Sequence, residues 1–145
     1  MKINLILAKD IYNGIGLNNK IPWNIPNDLK YFYKLTTYKK SAILMGRKTW
    51  DSLPKEIKPL QNRYNIVLSR NSKLFHNNIF NVKVLNNVES VIKFTKEQNF
   101  DYLWVIGGSE IYNTFLENSN YDYIFITKIL DNCKCDTFIS ENIDK

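Results

Sequence analysis

Apolar residues along the chain gather in four short runs, Ile3–Ala8, Ser41–Met45, Tyr64–Ser69 and Tyr102–Ile106. Each is nearly continuous rather than alternating, the pattern of strands covered on both faces. A fifth strand is expected at Tyr123–Ile129. Helices are expected between them, at Pro26–Thr36, Thr49–Leu53, Val88–Glu97 and Ser109–Glu117. Alternating strands and helices predict an α/β fold with a mostly parallel central sheet and helices on both faces. No linker, internal repeat or low-complexity tract interrupts the pattern, so residues 1–145 read as one domain. Asn77-Asn78 and Asn86-Asn87 punctuate turns.

Two helix starts are well marked. Pro26 and the short polar side chains of Asn27 and Asp28 occupy the first turn of one. From there Leu29, Phe32, Tyr33 and Leu35 follow at near-helical spacing and give that helix one side for a core or a pocket. The other start lies in Leu103–Tyr112, LWVIGGSEIY, where a buried strand reaches two adjacent glycines and turns straight into a helix. Ser109 or Gly108 can cap that helix, and Glu110 in its first turn suits the dipole. The corner departs from the dinucleotide fingerprint, which needs three spaced glycines and an acidic residue about twenty positions on.

Composition narrows the chemistry. Hydrophobic residues make up 44% of the 145 and charged residues 23%, as in an ordinary globular protein. No apolar run reaches membrane-spanning length, and the first residues read as a strand rather than a signal peptide, which makes the cytoplasm the default location. The net charge of +6 suits an anionic ligand or a polyanion. The basic residues are scattered apart from pairs such as Lys39-Lys40 and Arg47-Lys48, so no nucleic-acid partner is expected. Cys133 and Cys135 read as reduced structural residues, placed on one face by strand alternation. With His76 as the sole histidine, neither a zinc site nor a histidine triad is expected.

Three segments remain as candidates for chemistry. Asp28, flanked by Trp23, Ile25, Leu29 and Phe32, is either a simple helix-start carboxylate or a desolvated one able to grip an edge with two N–H donors. Gly46-Arg47-Lys48-Thr49 closes one apolar strand and is either a solvated basic turn or a phosphate cradle. Ser69-Arg70 repeats the pairing of hydroxyl and cation at the end of the next strand. Two such ends on one parallel sheet fall at its carboxyl edge, where open α/β folds bind ligands, and this favours the phosphate reading.

In order, these pieces resemble dihydrofolate reductase. The resemblance runs through Ala8, Gly14-Ile15-Gly16, Ile21-Pro22-Trp23, Asp28-Leu29, Tyr31-Phe32, Thr36 and Met45–Trp50. It continues through Pro59-Leu60, Arg63, Asn65, Val67–Arg70, Ile106–Ser109, Tyr112 and Asp136-Thr137-Phe138. It covers nearly the whole chain, and the ordered set is far more specific than any one motif.

The resemblance implies reduction of dihydrofolate to tetrahydrofolate with NADPH as cofactor, and antifolates as further ligands. It implies that Asp28 binds the pterin edge and promotes protonation at N5, that Thr127 hydrogen-bonds Asp28 and the pterin, and that Trp23 orders a water. It makes Ile6, Leu29, Phe32, Leu53 and Leu60 the walls around pterin and benzoyl groups, and gives Arg63 the glutamate carboxylate. On the cofactor side it sets Ala8, Ile15 and Gly16 at the nicotinamide and Ile21 in a mobile loop. Arg47, Ser69 and Arg70 take the 2′-phosphate, while Lys48, Thr49, Gly108, Ser109, Glu110 and Ile111 surround the pyrophosphate. Gly46, Leu68, Ile106, Gly107 and Tyr112 complete that set, with Gly107 and Gly108 joined by a cis peptide.

The chain departs from the pattern at its end. Family members continue past Asp-Thr-Phe with a hairpin of two further strands, whereas this sequence stops at Lys145. The resemblance therefore predicts an α/β sheet with its C-terminal strands missing, an open edge and reduced stability. It leaves room for an excised domain once followed by thymidylate synthase, or for self-association along that edge. Two alternatives to the reductase stand beside it: a non-catalytic module that binds NADPH or folate, and a pyrimidine reductase of riboflavin synthesis.

Overall fold

The computed structural model describes residues 1–18, 26–70 and 81–139, with only the backbone of 26–28. The expected sheet is present. Strands β1 (Lys2–Lys9), β3 (Ser41–Gly46), β4 (Tyr64–Leu68), β5 (Val82–Leu85), β6 (Tyr102–Gly107) and β7 (Tyr123–Lys128) form it in the order β5-β4-β3-β6-β1-β7 among the described residues. Every pairing is parallel. A separate ribbon pairs β2 (Gly14–Gly16) antiparallel with β8 (Thr137–Phe138). The sequence pattern had predicted none of β2, β5 and β8.

Helices α1 (Pro26–Thr36), α3 (Val88–Glu97) and α4 (Ser109–Glu117) span the expected residues. Helix α2 runs from Arg47 to Ser52, two residues earlier than expected, because β3 passes into it directly at Gly46. The Asn87 side chain caps α3 by accepting from the Ser90 amide at 2.7 Å. Gly108, rather than Ser109, stands at the start of α4, and no side chain caps it.

Strand alternation sorts the core into two layers. On one face Leu5, Leu7, Ala42, Leu44, Ile66, Leu103 and Val105 pack with Val91 of α3 and Ile111 and Phe115 of α4. On the other Ile6, Ile43, Met45, Val67 and Trp104 pack with Trp50 of α2 and, less deeply, Phe32 and Leu35 of α1. At about 25 cal/mol per Å² of apolar surface removed from water, these two layers supply the main favourable term for folding. Strand β7 closes one side of the sheet, where Tyr123 is exposed and Ile124, Phe125 and Ile126 are half-buried.

The strand expected through Cys133 and Cys135 does not form. Lys134 between them takes a left-handed φ of 53° and kinks the segment, and both thiols are free. Cys135 instead packs against Gly14, where an added Cβ would lie 2.5 Å from the Cys135 Cβ. Asp10 holds this corner together. Its carboxylate accepts from the amides of Tyr12, Gly14 and Cys133 at 2.9, 2.8 and 3.0 Å. Burial pushes the Asp10 carboxyl up, but these bonds and one from the Cys135 thiol outweigh it, leaving the group below its usual range.

Candidate active site

Because all six strands run the same way, their carboxyl ends share one edge. The chain moves outward from β1 through β3, β4 and β5, then returns to insert β6 between β3 and β1. A crevice at such a reversal is where open α/β sheets bind ligands. The cleft there has a volume of about 1380 Å³, more than the roughly 300–1,000 Å³ usual for one small ligand.

Register fixes which residues meet. Gly46 at the end of β3 lies beside Leu68 of β4, and Met45 lies beside Gly107 of β6. Ala8 of β1 faces Thr127 of β7. The three strand ends carrying Arg47, Arg70 and Gly108 are thus neighbours, although the chain separates them widely. Ile6, Leu29, Phe32, Leu53, Leu60 and Arg63 line one half of the cleft. Gly46, Arg47, Lys48, Thr49, Leu68, Ser69 and Arg70 line the other, with Ile106, Gly107, Gly108, Ser109, Glu110, Ile111 and Tyr112. Ala8, Ile15, Gly16 and Thr127 also line it. Ile21, Trp23 and His76 fall outside the described residues, and of Asp28 only its backbone, on the first turn of α1, is described.

Each half has its own character. The first is apolar, and Leu29, though at its wall, is 59% exposed. It ends on a cation: Arg63 is 7% exposed, and desolvation draws its guanidinium below the ordinary value. Among the described residues no carboxylate forms an ion pair with it. Its Nε donates to the Gln61 carbonyl at 2.8 Å and its Nη1 to the Thr36 hydroxyl at 3.0 Å. The loop behind it is fixed by buried Asn65, whose amide bonds Leu60 in both directions, at 2.9 Å each.

The second half is a bed of backbone and cations. Gly107 has a φ of 131°, a conformation that L side chains rarely adopt, and is joined to Gly108 by a cis peptide. An added Cβ at Gly46 would press on Ile111 at 3.2 Å. The Tyr112 hydroxyl, fully enclosed, donates to the Ile6 carbonyl at 2.8 Å and ties α4 to the floor. Arg47, Lys48 and Arg70 are exposed around this bed, and Arg47 pairs with Asp51 at 3.5 Å on the solvent side.

The sequence profile of the dihydrofolate reductase family matches residues 2–145. The chain belongs to the dihydrofolate reductase family. It is 38% identical to the dihydrofolate reductase of Heliothis virescens, over 100% of this chain and 82% of that protein. It is also 38% identical to a putative dihydrofolate reductase of Caenorhabditis elegans, over 95% of this chain and 77% of the relative. Bifunctional dihydrofolate reductase-thymidylate synthase 2 of Arabidopsis thaliana is 41% identical over 93% of this chain, which spans only 26% of that longer protein. These relatives place the chain among oxidoreductases and do not favour the riboflavin-pathway or non-catalytic alternatives.

Some cleft residues were not legible in the sequence. Tyr31, Tyr33, Ser52, Glu56, Asn86, Asn87 and Thr137 all line it; Tyr31 and Thr137 stand in the family motifs without a role of their own, and the other five lie outside them. Thr137 could be reached only through the β2–β8 ribbon, which sets Gly16 beside it. No helix among the described residues is long and apolar enough to cross a membrane.

Proposed function

We propose that this protein reduces dihydrofolate to tetrahydrofolate with NADPH, and so feeds one-carbon metabolism and thymidylate synthesis. The observation that carries the reading is the two-part cleft. A buried guanidinium with no carboxylate partner among the described residues ends its apolar half, and a glycine-lined bed with three cations forms the other. A flat heterocycle with an anionic tail suits the first, and a pyrophosphate-bearing cofactor with an extra phosphate suits the second.

The cofactor fits the residues present. Gly107 leaves the backbone bare beside Thr49 and Tyr112, whose nearest atoms would stand 3.5–3.6 Å from an added Cβ. Ser109 and Glu110 open α4 toward the same space. Arg47, Ser69 and Arg70 are proposed to hold the 2′-phosphate, and Lys48, Thr49, Gly108, Ser109, Glu110 and Ile111 the pyrophosphate. Ala8, Ile15 and Gly16 are proposed to border the nicotinamide, with Ile21 completing that side. When bound, the cofactor supplies a hydride to the substrate ring.

The chain's residues do the rest. Ile6, Phe32, Leu53 and Leu60 exclude water from the ring faces and hold the two reactants in contact. Leu29 covers the outer edge. Asp28 is proposed to grip the pterin's two N–H donors and promote protonation of N5, with Thr127 and Trp23 orienting that step. No other titrating group is required, since one desolvated carboxylate suffices for a single proton. The test is direct: the purified protein is mixed with dihydrofolate and NADPH, and loss of NADPH absorbance is followed with and without an antifolate. Turnover that the antifolate blocks supports the reading. Intact NADPH binding without turnover replaces it with the binding-module reading.

A further inference from the structure

The Arg63 guanidinium is held from more sides than its two hydrogen bonds. Its Cζ lies 5.2 Å from the centroid of the Tyr33 ring and 5.9 Å from that of Phe32. The Tyr33 hydroxyl in turn accepts from the Asn62 side-chain amide at 2.6 Å. Asn62 sits at a left-handed φ of 64° in the turn just before Arg63, so the arginine's own loop reaches across to hold the ring that covers it. The Thr36 hydroxyl donates a hydrogen bond to the Phe32 carbonyl at 2.8 Å, which leaves its lone pairs to accept from Nη1.

This arrangement decides which edge of the arginine is offered. A guanidinium grips a carboxylate through either the Nε/Nη2 fork or the Nη1/Nη2 fork. Gln61 has taken Nε and Thr36 one of the two protons on Nη1, so among the described residues the second Nη1 proton and Nη2 are left to form the second fork. Tyr33 lines the cleft but is 45% exposed. Its ring therefore contributes little to the core, and an exposed ring held at both its face and its hydroxyl points to a role at the cleft mouth.

We propose that Tyr33, clamped by Asn62, is a positioning residue that presents the Nη1/Nη2 edge of Arg63 to an anionic tail and sets the preference for tailed over tail-less substrates. The inference rests on the dihydrofolate reading above. The aryl face stabilises the desolvated cation and blocks rotation about its outer bonds, while the Asn62 bond keeps the ring from swinging into solvent. Phenylalanine at this position keeps the face and loses the latch. Leucine loses both.

The experiment compares dihydrofolate with a dihydropterin lacking the benzoylglutamate tail, in wild type, Tyr33→Phe and Tyr33→Leu. In Tyr33→Leu the ratio of kcat/KM for the tailed substrate over the tail-less one falls about fivefold, through KM rather than kcat, and in Tyr33→Phe it falls about twofold. An unchanged ratio, including one in which both substrates suffer equally, overturns the proposal. A wild type that reduces neither substrate removes the reductase reading instead. Tryptophan fluorescence titrations with benzoylglutamate and with benzamide then read the same preference. Selective loss of benzoylglutamate affinity in Tyr33→Leu supports the role, and equal binding of the two probes to wild type overturns it.

Discussion

The Tyr112 hydroxyl donates to the Ile6 carbonyl across 2.8 Å, a bond between a helix and a strand 106 residues apart in sequence. It places the first turn of α4, and with it the glycine corner, against the same strand that forms the apolar floor. Burial lifts the Tyr112 phenol far above its ordinary range, so it remains a donor between pH 6 and 9. Tyr112→Phe strands the Ile6 carbonyl without its partner and lowers stability by about 1–2 kcal/mol. Urea unfolding monitored from pH 6 to 9 checks this, with the same loss expected at each pH.

Asp28→Asn keeps a side chain of the same shape at the start of α1 and removes the ionisable group. Turnover near neutral pH falls by about 10²–10⁴-fold, while NADPH affinity changes by less than about twofold. Steady-state kinetics together with cofactor titration separate the two effects. An equal loss of both would remove Asp28 from the proton step.

Arg70 follows β4 just after Ser69 and reaches the bed from the exposed side. Arg70→Ala raises KM for NADPH about tenfold, a loss of about 1.4 kcal/mol, and changes KM for NADH far less. The two cofactors differ only by the 2′-phosphate, so the comparison isolates that contact. A parallel rise for both would assign Arg70 to a different part of the cofactor.

Asp10 provides a pH signature outside the cleft. Its carboxyl lies below the unfolded value of 3.8 when folded, so its contribution is present above that value and is lost as pH falls through the lower folded one. Asp10→Asn leaves acceptor capacity for only part of the cluster of Tyr12, Gly14 and Cys133 amides. It costs about 1–3 kcal/mol at pH 7. Denaturant midpoints of variant and wild type converge as pH is lowered below about 4.

The parts of the fold that were legible are those whose signal is local. The four near-continuous apolar runs and the Tyr123–Ile129 segment predicted five of the six strands of the sheet, and Pro26 and the Gly107-Gly108 corner marked the starts of α1 and α4. Strands β2 and β8 were not legible, because three residues and two residues carry no periodicity. They exist through the pairing of Gly14 with Phe138, 124 positions away, and through the Asp10 corner. Strand β5, Val82–Leu85, is four residues long with a lysine among them and, among the described residues, has a partner on one side only.

The cleft shows the same division. Arg47, Ser69 and Arg70 could be grouped because strand ends on a parallel sheet converge. The ring of Tyr33 over Arg63 could not, since it depends on how the turn at Asn62 folds back on α1. The cysteines misled for a related reason: an apolar, alternating reading assumed an extended chain, and Lys134 broke it.

The placement of β1 has a consequence for synthesis. Among the described residues its strand partners are β6 and β7, through pairs such as Lys2 with Tyr102 and Asn4 with Tyr123. On the ribosome, where about 5–20 residues are added each second, β1 emerges before the other strands of this sheet and is therefore among the last to be paired. Its run of Ile3, Leu5, Ile6 and Leu7 stays uncovered while β3, β4 and β5 can already associate. A nascent chain halted before Tyr102 would keep β1 open to proteases and chaperones, and the sheet would close from its middle only once β6 had been made.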